Sequence, residues 1–215
     1  MSEKTQEGTV TTVGDEGLPE DLARADLYGL IARFFHQPPD QELLDQIAAS
    51  IPDGQEGQAD DAPLAKVWAD VVELAKSNPA HAWHEEFDRN FISVGRPNII
   101  LNGSFYMAGH LNEKPLVEVR RALDAFGLES ADEVTETEDH IAALCEVMRY
   151  LIAGDDVTIS NLTHQQEFFA KHIQPWAQDM VEVILQHPKA QFFAQLAAFT
   201  QAFLNIETQG FDLLT

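Results

Sequence analysis

The sequence predicts an all-α fold, a single helical-bundle domain of roughly eight helices. Apolar residues recur at three- and four-residue spacing through most of the chain, as on helices that are buried along one side. No segment shows the alternation of apolar and polar residues that marks a half-buried strand, and no sequence repeat is present. The segments between the helices are short, which favours antiparallel neighbours in a bundle.

Proline and glycine residues mark where the helices begin and end. Pro19 stands at the start of the first helix, and Pro38-Pro39 ends it because proline cannot continue the hydrogen-bond ladder. Gly127 stops a later helix, and Pro175 lies inside another, which we expect to kink at about Ile173. The predicted helices cover about residues 19–37, 40–50, 63–77, 79–94, 115–126, 140–153, 161–186 and 188–206.

Three stretches do not follow helical spacing. Residues 1–17 are polar and rich in Gly, Thr and Glu, so we expect a flexible tail before a domain of residues 18–215. Residues 51–61 form a loop by composition. Residues 95–111 are irregular but apolar, so they must pack on something. They form either a buried strand or connector, or the apolar wall of a binding groove.

An acidic segment directly precedes the amphipathic helix that carries Ile141, Leu144 and Met148. Residues 129–139 hold six acidic side chains and no Lys or Arg, and Asp139-His140 stands at the helix start. Carboxylates are stabilised there by the positive end of the helix dipole. The segment is either a solvated, capped helix start or a site for a positively charged ligand. We expect it to form an acidic hinge, about residues 128–139, between the N- and C-terminal halves of the bundle.

The charge balance is strongly acidic. The chain has 36 Asp and Glu against 13 Lys and Arg, a formal net charge of −23. This argues against a nucleic-acid backbone or an anionic membrane as the partner. It permits a basic partner, although simple solubility or adaptation to salt explains the charge equally well.

The cysteine content and the apolar runs bound the cellular context. Cys145 is the one cysteine, which excludes disulfides within the chain and CxxC metal sites, and its apolar neighbours favour a core thiol. No secretory signal is visible, and no apolar run approaches the roughly 18 residues of a membrane span. We therefore expect a cytoplasmic protein.

The residues give little support for catalysis. His81 and His84 share a helix with acidic residues, but without the spacing of a zinc protease, and no Glu-x-x-His, Walker A, GxGxxG or GxSxG motif is present. Asp139-His140 could serve as a general acid and base, because a carboxylate raises the pKa of a neighbouring His toward neutral pH. No nucleophile or metal accompanies the pair. We predict no catalytic residue, no metal and no cofactor, and a recognition role for the pair.

Three sequence blocks carry a family resemblance. The first, Glu85 to Glu129, has an acidic-aromatic helix, then Phe, Gly and Pro, then Ser-x-Tyr and a helix ending in Gly-Leu. The second, TETEDHIAALCEVMRYL, is similar to a Glu-Pro-x-Asp-His signature and the helix behind it. The third, QQEFFAKHIQPWAQDMVEVI, contains His172 and Trp176 in a His-x-x-x-Trp block. Together, and in this order, the blocks resemble the TorD/DmsD/NarJ family of redox-enzyme maturation chaperones.

Two positions depart from the family pattern. Thr137 stands where the signature has proline, so we expect a less rigid hinge. Residues 99–102 replace a Pro-rich aromatic stretch, which bears on ligand preference. The version NGSFYMAGHLNEKPL resembles the branch that serves the second type of dimethyl-sulfoxide-reductase-like molybdoenzymes.

The resemblance implies a non-catalytic, all-helical chaperone. Such proteins bind the twin-arginine signal peptide and the apo catalytic subunit of a molybdopterin oxidoreductase, and delay export until the molybdenum cofactor is inserted. The implied partner is a protein, without nucleic acid or membrane insertion, and the chain is expected to be a monomer or a domain-swapped dimer. The acidic residues and His140 would line the entrance, and Tyr106 and Ile100 would help form an apolar wall. The candidate peptide-binding residues are Phe91, Ile100, Ser104, Tyr106, Glu136, Glu138, Asp139 and His140.

Two other functions stay open at this point. A metal-dependent hydrolase would use His81, His84 and Asp139-His140, and it would hold a stoichiometric metal. A plain acidic helical interaction module would never recover a molybdoenzyme subunit in a pull-down.

Overall fold

The computed structural model describes residues 19–51, 63–92, 97–131 and 134–214. In these ranges the chain forms α-helices, a π-helical turn at Asp88–Ile92 and one isolated β-bridge, between Asn102 and His140, but no β-strand. The all-α prediction is confirmed. The expected flexible tail and nearly all of the loop at 51–61 lie outside the described residues. The helices are α1 (Pro19–His36), α2 (Gln41–Ala49), α3 (Pro63–Ser77), α4 (Ala80–Phe87), α5 (Gly103–Ala108), α6 (Lys114–Phe126), α7 (Ile141–Ala153), α8 (Leu162–His172), α9 (Gln174–Gln186) and α10 (Phe192–Asp212).

Helices α1 and α7 pack along each other in antiparallel directions at the centre of the fold. His36 at the end of α1 lies near His140 at the start of α7, whereas Gly29 further back lies against Arg149. A Cβ on Gly29 would stand 3.1 Å from the Cδ atom of Arg149, so glycine allows this close approach. The pair thus holds one helix from the first part of the chain against one that follows the acidic segment.

The other helices enclose this pair around an aromatic core. Helix α10 packs on α3, α4 and α9, while α8 packs on α7 and α9, and α5 on α6 and α9. The ring of Phe193 contacts the rings of Phe35, Trp83, Phe87 and Phe91. Among the described residues, no helix is both long and apolar enough to cross a bilayer.

The predicted kink at Ile173 is confirmed as a complete break. Helix α8 ends at His172 and α9 begins at Gln174, with Pro175 in its first turn. Proline lacks the amide that would continue the ladder, so its position early in a new helix satisfies the backbone. This break and the short α5 raise the number of described α-helices above the eight expected.

The start of α10 differs from the prediction for a tertiary reason. The spacing predicts a helix from about residue 188, but α10 begins at Phe192. The buried Glu86 carboxylate of α4 accepts hydrogen bonds from the Phe192 amide (3.2 Å) and the Phe193 amide (2.9 Å). A carboxylate at a helix N-terminus is stabilised by these donors and by the helix dipole. A side chain 106 positions away in the sequence therefore helps to set this helix boundary.

Helices α6 and α7 are joined by the segment in which we expect an acidic hinge. The structure describes residues 128–131 and 134–140 of this segment. The structure shows one arrangement of the N- and C-terminal halves, so the acidic hinge between them stays a prediction.

Candidate functional site

The connector, residues 134–140, separates a large cavity from a small one. Val134, Glu136, Glu138 and His140 line the large cavity, whereas Asp139 lines the small one. The adjacent carboxylates of Glu138 and Asp139 therefore face different cavities, and their roles differ.

Asp139 is a buried cap for helix α5. Its side chain is only 1% exposed, and Oδ2 accepts a hydrogen bond from the Ser104 amide at 2.7 Å. Oδ1 accepts from the Thr137 hydroxyl at 2.6 Å and, at 3.4 Å, from the Asn102 side chain. Burial alone would raise the pKa of Asp139. The hydrogen bonds from Ser104, Thr137 and Asn102 together lower it by more, so the pKa lies below its usual value. The carboxylate is ionised and already occupied by its own chain.

His140 caps the next helix. Its Nδ1 accepts a hydrogen bond from the Ala142 amide at 3.2 Å, so the proton of the neutral ring resides on Nε2. The residue is 7% exposed, and burial lowers its pKa to about 4 despite the nearby Glu136 and Asp139 carboxylates. Asp139 raises this pKa as expected, but the net shift is downward, so His140 does not titrate near neutral pH. Desolvation of the charged ring outweighs the attraction of the neighbouring carboxylates.

The large cavity has a volume of about 870 Å³ and lies between α1, α2, the end of α6, the connector and α7. Its acidic lining residues are Asp26, Glu129, Glu136, Glu138 and Glu146. The apolar lining includes Leu30, Leu43, Leu123, Leu128, Val134 and Val147. Two cations, Arg33 and Arg149, also line it, so carboxylates outnumber guanidinium groups. The cavity combines a negatively charged wall with a substantial apolar surface.

Glu136 and Glu138 differ in their partners. The Glu138 Oε2 atom accepts a hydrogen bond from Nε of Arg120 at 3.0 Å and lies 2.9 Å from its Nη2 in an ion pair. Burial alone would raise the pKa of Glu138. The contacts with Arg120 help to lower it by more, so the pKa lies below its usual value. The Glu136 carboxylate makes no hydrogen bond to another residue in the described part of the chain. It is half-buried and lies close enough to His140 to favour the charged form of that ring.

The other sequence candidates are buried or half-buried, and they do not line the large cavity. Phe91 and Ile100 are buried, and Ser104 is the residue whose amide Asp139 caps. The hydroxyl of Tyr106 donates to the Ile100 carbonyl at 2.7 Å, and burial raises the pKa of this phenol. Residues 99–107 do not line the large cavity, although Gly103 and Met107 line the small one. Ile99, Ile100 and Leu101 are buried and Met107 is exposed, and residues of α1, α2, α6 and α7 contribute the apolar surface of the large cavity.

The three resembling blocks meet at the small cavity of about 300 Å³. The Trp176 indole stacks on Tyr106 and donates to the His172 carbonyl at 2.6 Å. A Cβ on Gly103 would stand 2.8 Å from Nε1 of Trp176, so only glycine fits there. Burial lowers the pKa of His172 to about 4. The motifs that are scattered in the sequence form one tightly packed structural unit around the α5 start.

The metal-hydrolase alternative gains no support from the geometry. His81 and His84 are exposed on α4, whereas Asp139 and His140 are buried at the start of α7. Among the described residues, no three or more His, Cys, Asp or Glu side chains are grouped so that they could hold a metal ion.

Sequence reasoning missed the cavity residues on the central helices. Asp26, Arg33 and His36 come from α1, and Glu146 and Arg149 come from α7. In the sequence they are ordinary polar positions of amphipathic helices. The one local signal was Gly29 in the middle of α1, which marks a close approach of another element.

Comparison with known proteins gives concordant matches. The model of the nitrate reductase delta subunit family matches residues 57–182, more than half of the chain. The chain is 24% identical over 204 residues to the chaperone protein TorD of Vibrio cholerae serotype O1, strain classical Ogawa 395. It is 25% identical over 204 residues to the protein of the same name from strain El Tor Inaba N16961. Each alignment covers 89% of this chain and 93% of the relative.

Proposed function

Because this chain belongs to the nitrate reductase delta subunit family, the TorD/NarJ family of molybdoenzyme maturation chaperones, we propose that it binds the twin-arginine leader peptide of such an enzyme. It holds the apo catalytic subunit until the molybdenum cofactor is inserted, and it delays export until then. This role places the protein in the cytoplasm with its client. The chaperone name of the relatives points to the same non-catalytic role.

One observation carries the proposal: carboxylates and apolar side chains line the same large cavity. A twin-arginine leader presents two guanidinium groups followed by an apolar stretch. Glu136 and Glu138 on the connector, with Glu129 beside them, supply acceptors for the guanidinium groups. Leu30, Leu123 and the other apolar lining residues supply a surface for the stretch that follows. The cavity therefore has a counterpart for each half of this ligand.

The two kinds of contact contribute differently. Two unit charges 4 Å apart attract by roughly 4 kcal/mol near a protein surface, before the cost of removing water from them. Burial of apolar area contributes about 25 cal/mol per Å² and is the main source of affinity. The net charge of −23 speeds capture of a cationic peptide more than it tightens binding.

The sequence candidates divide into two groups in this proposal. Glu136, Glu138 and His140 contact the peptide, because they line the cavity. The remaining five residues position the connector and the core beneath it. They are Phe91, Ile100, Ser104, Tyr106 and Asp139.

Calorimetry with a synthetic leader peptide tests the proposal. The probe carries an Arg-Arg pair followed by a leucine-rich stretch, and its counterpart carries Gln-Gln. Glu136→Gln combined with Glu138→Gln should weaken binding of the Arg-Arg peptide at least tenfold, about 1.4 kcal/mol. The matched control is Asp179→Asn combined with Glu182→Gln, which removes two exposed charges from α9, away from the cavity.

Two results contradict the proposal. One is equal affinity in the two double variants, which would reduce the effect to net charge. The other is a wild-type protein that binds the Arg-Arg and Gln-Gln peptides equally well.

Two finer proposals rest on the sequence, the first on the family resemblance and the second on the expected hinge. We propose that the client belongs to the second type of dimethyl-sulfoxide-reductase-like molybdoenzymes, and that the chaperone acts as a monomer or a domain-swapped dimer. Light scattering of the purified protein, with and without the leader peptide, measures the oligomeric state.

A further inference from the structure

One of the proposed ligand-binding carboxylates already holds a guanidinium group of the chain itself. Arg120 of α6 reaches the connector and contacts the Glu138 carboxylate with two nitrogens, at 2.9 and 3.0 Å. We propose that Arg120 is an internal placeholder whose guanidinium competes with a leader arginine for Glu138. This inference rests on the proposed function and names an autoinhibitory contact at the same site.

The two partners differ in how firmly they are held. The side chain of Arg120 is 53% exposed and that of Glu138 only 19%. Arg120 is not among the residues that line the cavity, so its guanidinium reaches Glu138 from outside. It can move into water without disturbing the core.

The backbone that carries Glu138, by contrast, is fixed by the neighbouring residues of the connector. Thr137 is hydrogen-bonded to Asn102 and Asp139, and Asp139 in turn accepts from Ser104. These bonds hold the backbone on both sides of Glu138. An incoming guanidinium would therefore find Glu138 in place and need only displace Arg120.

Three other ion pairs of the described residues do not have this arrangement, and in a fourth, Lys171–Glu118, the half-buried carboxylate lines the small cavity and not the large one. Arg121–Glu118 and Arg149–Glu146 each lie within one helix, three residues apart, so the partners move together. Arg24–Glu207 joins two helices, but Glu207 is buried and the pair belongs to the core. The Arg120–Glu138 pair instead joins a long, exposed side chain to a carboxylate that lines the large cavity.

The test replaces Arg120 and measures the same two peptides. Arg120→Ala should lower the Kd for the Arg-Arg peptide two- to fivefold, about 0.4 to 1 kcal/mol, and leave the affinity for the Gln-Gln peptide unchanged. The matched control is Arg121→Ala, an adjacent residue of α6 with the same charge whose partner, Glu118, does not line the large cavity. In a Glu138→Gln background the effect of Arg120→Ala should disappear, because the competition for that carboxylate is gone.

The outcomes separate this inference from the proposed function. If Arg120→Ala and Arg121→Ala changed the affinity for the Arg-Arg peptide equally, the change would come from net charge alone. That result would contradict the proposed competition for Glu138. Weaker binding in Arg120→Ala would overturn it too, because Arg120 would then orient Glu138 for the ligand. If the Glu136 and Glu138 double variant binds the Arg-Arg peptide as well as wild type does, the proposed function fails and the placeholder fails with it.

Discussion

The two sides of the connector use the same chemical groups for different purposes. On the side of α5, the Asp139 carboxylate is buried, accepts three hydrogen bonds from its own chain and caps a helix. On the side of the large cavity, Glu136 and Glu138 are half-buried, and Glu138 pairs with the exposed Arg120. A carboxylate that is saturated with internal donors stabilises the fold, and one that faces a cavity can accept a ligand.

This difference changes how the Asp-His motif is understood. Asp139 and His140 are the most recognisable part of the segment, yet both cap helices in the structure. The less specific acidic residues beside them face the cavity. Of the two signature residues, Asp139 therefore holds the connector in place, whereas His140 also lines the large cavity beside Glu136 and Glu138.

The largest effect is expected for Asp139→Ala. It leaves the Ser104 amide and the Thr137 hydroxyl without their acceptor in a buried position, which we expect to cost about 3 kcal/mol of unfolding free energy. Urea denaturation measures the change. Glu138→Gln changes the adjacent residue of the connector. It should change the unfolding free energy by less than about 0.5 kcal/mol, because the ion pair of Glu138 with Arg120 is exposed. Similar losses in the two variants would remove the distinction between the sides.

Acid stability sharpens the contrast at His140, which lines the large cavity and, like Asp139, is buried and caps a helix. Its pKa is about 4 in the folded protein and about 6.5 in the unfolded chain, so the unfolded state takes up the proton first. The stability that depends on the neutral His140 ring is fully present above pH 6.5 and is lost as the pH falls toward 4. His140→Asn keeps a capping side chain but does not titrate. Between pH 7 and pH 4.5, wild type should lose about 2 kcal/mol more stability than this variant in urea denaturation.

A parallel acid dependence of the two proteins would contradict the buried, neutral state of His140. Other groups that titrate in this range, His172 among them, are present in both proteins. Their effects therefore cancel in the difference between wild type and variant.

The smallest effect is expected for Thr137→Val. The change keeps the shape of the side chain but removes the hydroxyl that donates to Asp139 and accepts from Asn102. We expect a loss of about 1 kcal/mol in unfolding free energy. Affinity for the Arg-Arg peptide should stay within twofold of wild type, because the hydroxyl faces away from the cavity. A large loss of affinity with unchanged stability would place Thr137 on the ligand side instead.

Much of the fold was predictable from local patterns. Helical spacing identified the segments that became α1, α3, α6 and α7, and Gly127 ends α6 in the left-handed conformation, with φ of 68°. Pro175 correctly marked the break between α8 and α9. These features depend on residues that are close in sequence, so the sequence is sufficient to predict them.

Other features depend on residues far apart in the chain. The short helix α5 lies in a segment that has no helical spacing, and Asp139, 35 positions further on, caps its start. The boundary of α10 depends in the same way on Glu86. Apolar content predicted that the irregular segment 95–111 packs on something, but it could not show that Ile99, Ile100 and Leu101 are the residues that pack into the core.

The sequence by itself determined the helical class, most helix boundaries, the acidic segment and the family resemblance, because each depends on short-range spacing or on residue types in order. Only the tertiary structure decided which carboxylates face a cavity and which are buried. Whether a carboxylate is satisfied by internal donors depends on what other helices place against it. In this protein, the packing of α1, α5 and α6 around the connector made that choice, leaving Glu136 and Glu138 at the cavity and Asp139 in the core.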